Sequence, residues 1–194
     1  MATSTEPSEE KKRLRREMIA RRDAMPAAER ERLAASMARH VTALAQYRSA
    51  RTVLATMSIG SEFSTRHFLD RARADGKTIV LPRITTEKPK RLELHAVKDL
   101  VHDLVPGVWD IPEPDPARCR RVEITAVDFA LVPALAVDRD NYRLGYGAGF
   151  FDGLLGSHKV RPYCVTALPT RFVVDTLPHE AHDIAVDLVL GEEP

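Results

Sequence analysis

Apolar residues recur at helical spacing through the first quarter of the chain. Leu14, Met18 and Ile19 form a narrow stripe within a predicted helix from Glu9 to Ala24. Pro26 stands where a second helix would begin, a position at which its missing N–H costs nothing. That helix is predicted to run to Gln46, with Leu33, Met37, Val41 and Leu44 on one face. The pattern then alternates. Residues 52–56 read as a buried strand, and Ser64 or Thr65 can cap a helix reaching Ala74, with Gly76 as its stop. Residues 78–81 make the next strand, closed by Pro82, and residues 92–96 a half-exposed one. The proline-rich, acidic stretch 107–116 reads as a loop. Buried strands are predicted at 129–133, 164–168 and 184–186, with a short helix from Gly149 to Leu155.

Strands that alternate with helical segments imply a three-layer α/β fold. A mostly parallel sheet carries helices on both faces, in a Rossmann-like topology. Ligands of such sheets bind at the carboxyl ends of the strands, here the loops after Thr56, Leu81 and Val132. Residues 1–8 are polar and read as a disordered tail, leaving 9–194 as one domain.

Composition narrows the class. With 194 residues, 44% hydrophobic, the chain can bury an ordinary core. It lacks the roughly 20-residue apolar run of a membrane span and an apolar N-terminal leader, so a cytoplasmic protein without membrane contacts is expected. The two cysteines, Cys119 and Cys164, lack zinc-site spacing. Net charge is +1, yet Lys11, Lys12, Arg13, Arg15, Arg16, Arg21 and Arg22 crowd the first helix. Such a run suits a solvated helix face, a nucleic-acid contact or a clamp on a small phosphorylated ligand. Lys11 and Arg15, four apart, share a face.

The densest chemistry lies at 143–152, Arg-Leu-Gly-Tyr-Gly-Ala-Gly-Phe-Phe-Asp. Gly145, Gly147 and Gly149 follow a buried strand and precede a short helix. Successive amides in such a loop can cradle an anion, Arg143 adds a forked cation, and Asp152 can hold a hard cation against a bound phosphate. A glycine-rich turn with no ligand has the same spacing. The segment is neither a P-loop, lacking Gly-Lys-Ser/Thr, nor a dinucleotide fingerprint, whose third glycine comes one residue later.

Together these residues resemble the 5-formyltetrahydrofolate cyclo-ligase family. The stretch Arg143–Asp152 matches its Arg-Leu-Gly-x-Gly-x-Gly-aromatic-aromatic-Asp signature. Further matches are Lys11 with Arg15, Met57 and Glu62 after the first strand, Ile111-Pro112-Glu113-Pro114, and His182-Asp183 with Val186-Asp187. Phe150 and Phe151 stand where the family often has two tyrosines, and Ala148 where it has glycine or lysine.

The resemblance implies ATP-dependent, Mg²⁺-requiring closure of 5-formyltetrahydrofolate to 5,10-methenyltetrahydrofolate. ATP would be bound by Lys11, Arg15, Arg143, Leu144, Gly145, Tyr146, Gly147, Ala148, Gly149, Phe150 and Phe151, and Mg²⁺ by Asp152 and Asp183. Lys11, Arg15 and Arg143 would also carry catalysis. The folate would meet Met57, Glu62, Trp109 and Tyr146. A monomer is expected, with the folate and ATP as small-molecule partners and no nucleic acid. The alternatives are a nucleotide-binding relative with another substrate, and a basic nucleic-acid-binding protein.

Overall fold

Side chains alternate strictly along the central strands, and this alternation builds two cores. Val53, Ile79, Phe129 and Val165 point into one cluster; their neighbours Leu54, Val80, Ala130 and Cys164 point into another. The computed structural model describes residues 7–192. In it the sheet has seven strands: β1 (Thr52–Leu54), β2 (Thr78–Ile84), β3 (Leu92–Val97), β6 (Arg120–Val122), β7 (Phe129–Leu131), β10 (Tyr163–Ala167) and β11 (Leu188–Leu190). Their order is β11-β10-β7-β1-β2-β3-β6. The first five in that order run parallel, and β3 and β6 are antiparallel additions. Two small hairpins stand apart: β4 (Leu104–Pro106) with β5 (Pro112–Pro114), and β8 (Ala136–Val137) with β9 (Arg143–Leu144).

Helices α2 (Ala27–Ala43) and α4 (Arg66–Ala74) cover one face of the sheet. The short α5 (Phe150–Gly156) covers the other through Leu155. The three-layer, mostly parallel architecture expected from the sequence is therefore present. Helix α1 (Pro7–Asp23) packs over the carboxyl ends of the strands, where Met18 joins Met37, Leu144 and Phe172 in a third cluster. Among the described residues, no helix is long and apolar enough to cross a membrane.

Several boundaries differ from expectation. α1 begins at Pro7, inside the predicted tail; residues 1–6 of that tail lie outside the described residues. The second predicted helix breaks at Leu44, which is extended (φ −62°, ψ 141°), and continues as α3 (Ala45–Ser49). The break turns Tyr47 into the core against Phe68 and Phe129, with its hydroxyl on Asp75 at 2.9 Å. β2 runs past Pro82, because β1 has ended by then and a missing N–H on that side leaves nothing unpaired. The predicted loop 107–116 contains β5 and a 3₁₀ turn, Val108–Asp110. The last strand lies at 188–190, not 184–186. Ile184 and Val186 instead pack on the core from a loop that Asp187 pins to Arg161 and to the Cys164 amide.

Both thiols are buried. Burial pushes the Cys164 thiol up to about 11 and raises that of Cys119, so neither is an activated nucleophile. His95 is buried, with Nδ1 3.1 Å from the Cys119 carbonyl.

The β8–β9 hairpin presents Arg143, and one buried carboxylate shapes it. Asp138 Oδ1 accepts the amides of Asp140 (3.0 Å) and Tyr142 (2.9 Å), and Oδ2 accepts that of Leu177 (2.9 Å). Asn141 completes the turn at φ 65°. Asp138→Ala strands these amides. Since hydrogen bonds to charged groups are worth about 1.5–3 kcal/mol each, the variant should lose about 3 kcal/mol or more of stability, read by urea denaturation. Asp138→Asn, keeping one acceptor oxygen, should lose less.

Candidate active site

The carboxyl ends of β1, β7 and β10 open toward the loop joining β9 to α5. This is the edge at which parallel α/β sheets bind ligands. Loop residues 145–149 turn tightly there. Gly147 (φ 106°) and Gly149 (φ 66°) adopt backbone conformations that side chains resist, while Ala148, not in that region, tolerates its Cβ. A side chain at Gly147 would also meet the Arg15 guanidinium at 3.2 Å.

Residues far apart in sequence converge on this loop. Arg15 donates from Nε to the Gly145 carbonyl at 2.8 Å. Lys11, buried at 9% exposure, donates to Asp183 Oδ2 at 2.5 Å and to Glu180 at 3.4 Å. Arg143 is nearly sealed, and its Nη2 donates to Asp152 Oδ1 at 2.8 Å. That same oxygen accepts the amide of Ile184 at 3.0 Å, so Asp152 is held beside the backbone that carries Asp183. The Arg143 guanidinium lies 5.8 Å from the Phe151 ring centroid, so the aromatic face serves without a hydroxyl. Burial lowers the Arg143 pKa, against the attraction of Asp152. Its buried Nε has no acceptor among the described residues, an unmatched donor in a set of cations suited to phosphate oxygens.

On the other side of the loop, the Tyr146 ring is nearly half exposed, but its hydroxyl turns inward and accepts from Arg22 Nη1 at 2.7 Å. Burial, then the neighbouring Glu62 carboxylate, raise the Tyr146 pKa, and Arg22 opposes them. Glu62 accepts the Ile59 amide at 2.9 Å. Glu62 and Arg22 line a cavity of about 70 Å³ with Thr56, Phe63, Pro133 and Leu168. This is smaller than the roughly 300–1,000 Å³ of ligand pockets, so a bicyclic ligand enters only if its walls part.

The residues anticipated for phosphate and metal thus gather: Lys11 on Asp183, Arg15 on the glycine loop, Arg143 on Asp152. Leu144 is buried in the third cluster and faces away from the loop's ligand side. Phe150 opens α5, half-buried. Met57 packs against the first core cluster beside the loop that bears Glu62. Trp109 lies in the 3₁₀ turn, and its side chain lies outside the described residues. Glu180, with His182 and Asp183, presents ligand atoms within 4.8 Å of one another; its pairing with Lys11 was not anticipated. Arg22 was not singled out either. Its signal was its place eleven residues, about three turns, after Lys11, on the face that carries Arg15.

These features define an α/β enzyme whose glycine loop and gathered cations sit at the carboxyl edge of a parallel sheet. The chain belongs to the 5-formyltetrahydrofolate cyclo-ligase family, whose sequence model matches residues 7–192, and that family is a family of ligases. A 5-formyltetrahydrofolate cyclo-ligase of Mycolicibacterium smegmatis is 33% identical over 181 residues, covering 93% of this chain and 92% of that protein. One of Mus musculus is 26% identical, covering 94% of each. The NMR structure of the Aquifex aeolicus 5,10-methenyltetrahydrofolate synthetase superposes with a TM-score of 0.81 at 28% identity, over 95% of this chain and 90% of that one. The Mycoplasma pneumoniae synthetase, at 19% identity and a TM-score of 0.73, shares the fold.

The Lys11–Asp183 pair gives a pH prediction. Burial alone would raise the Asp183 carboxyl, but hydrogen bonds from Lys11 and the Glu180 amide outweigh it, and the net shift is downward. A depressed folded pKa adds stability that is present above the unfolded value, about 4, and lost as pH falls through the folded one. Asp183→Asn should therefore be less stable than wild type at pH 7, and the gap should close as pH drops below about 4 and through the lowered folded value. Urea denaturation of both proteins across that range reads the difference.

Proposed function

We propose that the protein couples ATP to closure of 5-formyltetrahydrofolate, giving 5,10-methenyltetrahydrofolate, ADP and phosphate. The observation that carries this reading is the convergence of Lys11, Arg15 and Arg143 on the glycine loop, beside Asp152 and Asp183. The family membership supplies the folate.

In this reading the amides of Gly145, Tyr146, Gly147, Ala148 and Gly149 face the phosphates. Lys11 and Arg15 reach them from α1, and Arg143 from below, together offsetting the charge spread over the transferring group. Two oxygen-donor carboxylates beside a phosphate site fit the preference of Mg²⁺ for few protein ligands and several waters, so Asp152 and Asp183 would hold it. The ion, when bound, would supply neutralisation of phosphate charge.

The formyl oxygen attacks the γ-phosphorus and the bond to ADP breaks. N10 then adds to the activated formyl carbon and loses its proton. Phosphate departs with the C–O bonding pair as the ring closes. No side-chain nucleophile is needed, consistent with two buried thiols. Glu62 would accept N–H groups of the pterin, and Met57, Tyr146 and Trp109 would border it. The small cavity beside Glu62 would have to widen as the folate enters.

Purified protein with 5-formyltetrahydrofolate should develop the methenyltetrahydrofolate absorbance only when both ATP and Mg²⁺ are present. No rise, with ATP still bound in calorimetry, would move the assignment to a relative with another substrate. Lys11→Ala and Arg15→Ala should each raise the KM for ATP about tenfold or more, the worth of one charged hydrogen bond. Asp152→Asn should lose metal-dependent turnover; normal turnover in that variant would remove Asp152 from the metal site.

A further inference from the structure

The carboxyl-terminal end of α1 holds a second polar junction, separate from the Lys11 and Arg15 contacts. Arg22 is buried at 7% exposure. Its Nη1 donates to the Tyr146 hydroxyl at 2.7 Å and its Nε to the Ser61 hydroxyl at 3.0 Å. Ser61 in turn donates to Asp23. The guanidinium therefore joins three segments: the end of α1, the 58–65 loop that carries Glu62, and the glycine loop that carries Tyr146. A buried cation that spends its donors on two neutral hydroxyls is a costly arrangement for stability alone, since burial of charge is favourable only with close compensation. Ser61 is the neighbour of Glu62 in that loop, and Arg22 and Glu62 line one cavity.

We infer that Arg22 is a positioning residue for the folate side of the site: bonded to Ser61 and to the Tyr146 hydroxyl, it holds the loop that carries Glu62 and fixes the carboxylate that meets the substrate. This rests on the reading above that Glu62 accepts the N–H groups of the folate. Arg22 meets the phosphate loop only at the Tyr146 hydroxyl, not at the backbone amides proposed to face phosphate, so its loss should separate the two ligands. Lys11 and Arg15 act on the nucleotide from the same helix face; Arg22 acts on the other substrate.

The test measures binding of 5-formyltetrahydrofolate, and separately of Mg-ATP, to the full chain by calorimetry, with KM and kcat for both. Arg22→Met should weaken 5-formyltetrahydrofolate about tenfold, the worth of a lost charged hydrogen bond, and leave Mg-ATP within about twofold. Arg22→Lys should recover part of the loss. Tyr146→Phe, which removes only the hydroxyl, should weaken the folate similarly, and the double variant should be no worse than the weaker single one, because both break one chain of contacts. Additive losses, or unchanged folate affinity in Arg22→Met and Tyr146→Phe, overturn the inference, as does equal weakening of both ligands, which marks a merely structural role. If Arg22→Met does not fold, Arg22→Lys and Tyr146→Phe decide by the same comparison. A wild-type protein that binds Mg-ATP but no 5-formyltetrahydrofolate overturns the functional reading and the inference with it. Folate binding that is intact in wild type and in all variants overturns the inference alone.

Discussion

The ion pair between Lys11 and Asp183 joins residues 172 positions apart and closes the first helix onto the last loop before the final strand. Apart from polar contacts of this kind, α1 rests on Leu14, Met18 and Ile19, a narrow apolar stripe for a seventeen-residue helix. The helix is otherwise highly charged, with Lys12, Arg13 and Arg21 paired to glutamates on its own surface. Its inner face is set by a few polar contacts at defined points, and those contacts are with the elements that make the site.

The sheet supplies what α1 closes upon. Parallel strands place β1, β7 and β10 with their carboxyl ends together, and the loops leaving them carry Thr56, Pro133 and Leu168 to one cavity. The β8–β9 hairpin and α5 then carry Arg143 and Asp152 to the same edge, nine residues apart and bonded. Positioning by rigid elements and chemistry by loops is the usual division in such folds. Here the divide runs through the hairpin that Asp138 holds.

What could be read in advance follows from how local each feature is. The segment 143–152 is contiguous, so its glycines, arginine and aspartate could be assigned together, and they lie together. The strand cores at 52–54, 79–81 and 129–131 were legible because continuous apolar runs mark strands buried on both faces. The hairpin strands β8 and β9 are two residues each, too short for any periodicity. The shift of the last strand from 184–186 to 188–190 has the same origin: both are apolar triplets, and only the pinning of Asp187 by Arg161 and Cys164 decides between them. Lys11 was marked with Arg15 by their four-residue spacing, but Asp183 entered only through resemblance, since no spacing links it to either. Arg22 was hidden beside Arg21, one exposed and paired to Glu17, the other buried; a run of basic residues does not reveal which member turns inward.

The two margins of the sheet are finished differently. At one, β6 is only three residues long and shows Arg120 and Arg121 to solvent, so a second such strand approaching it in the antiparallel sense meets like charge. At the other, β11 is the apolar Leu188–Leu190, half-exposed on its outer side, yet the chain leaving it is tied down: Ser36 of α2 donates to the Glu192 carbonyl at 3.2 Å, and the Glu192 carboxylate accepts from the Thr170 hydroxyl at 3.0 Å. One border is guarded by repulsion and the other by a fastening. The fastened border is the more apolar, since β11 is Leu188–Leu190 where β6 presents arginines. Self-association on heating is therefore expected to begin at β11 rather than at β6.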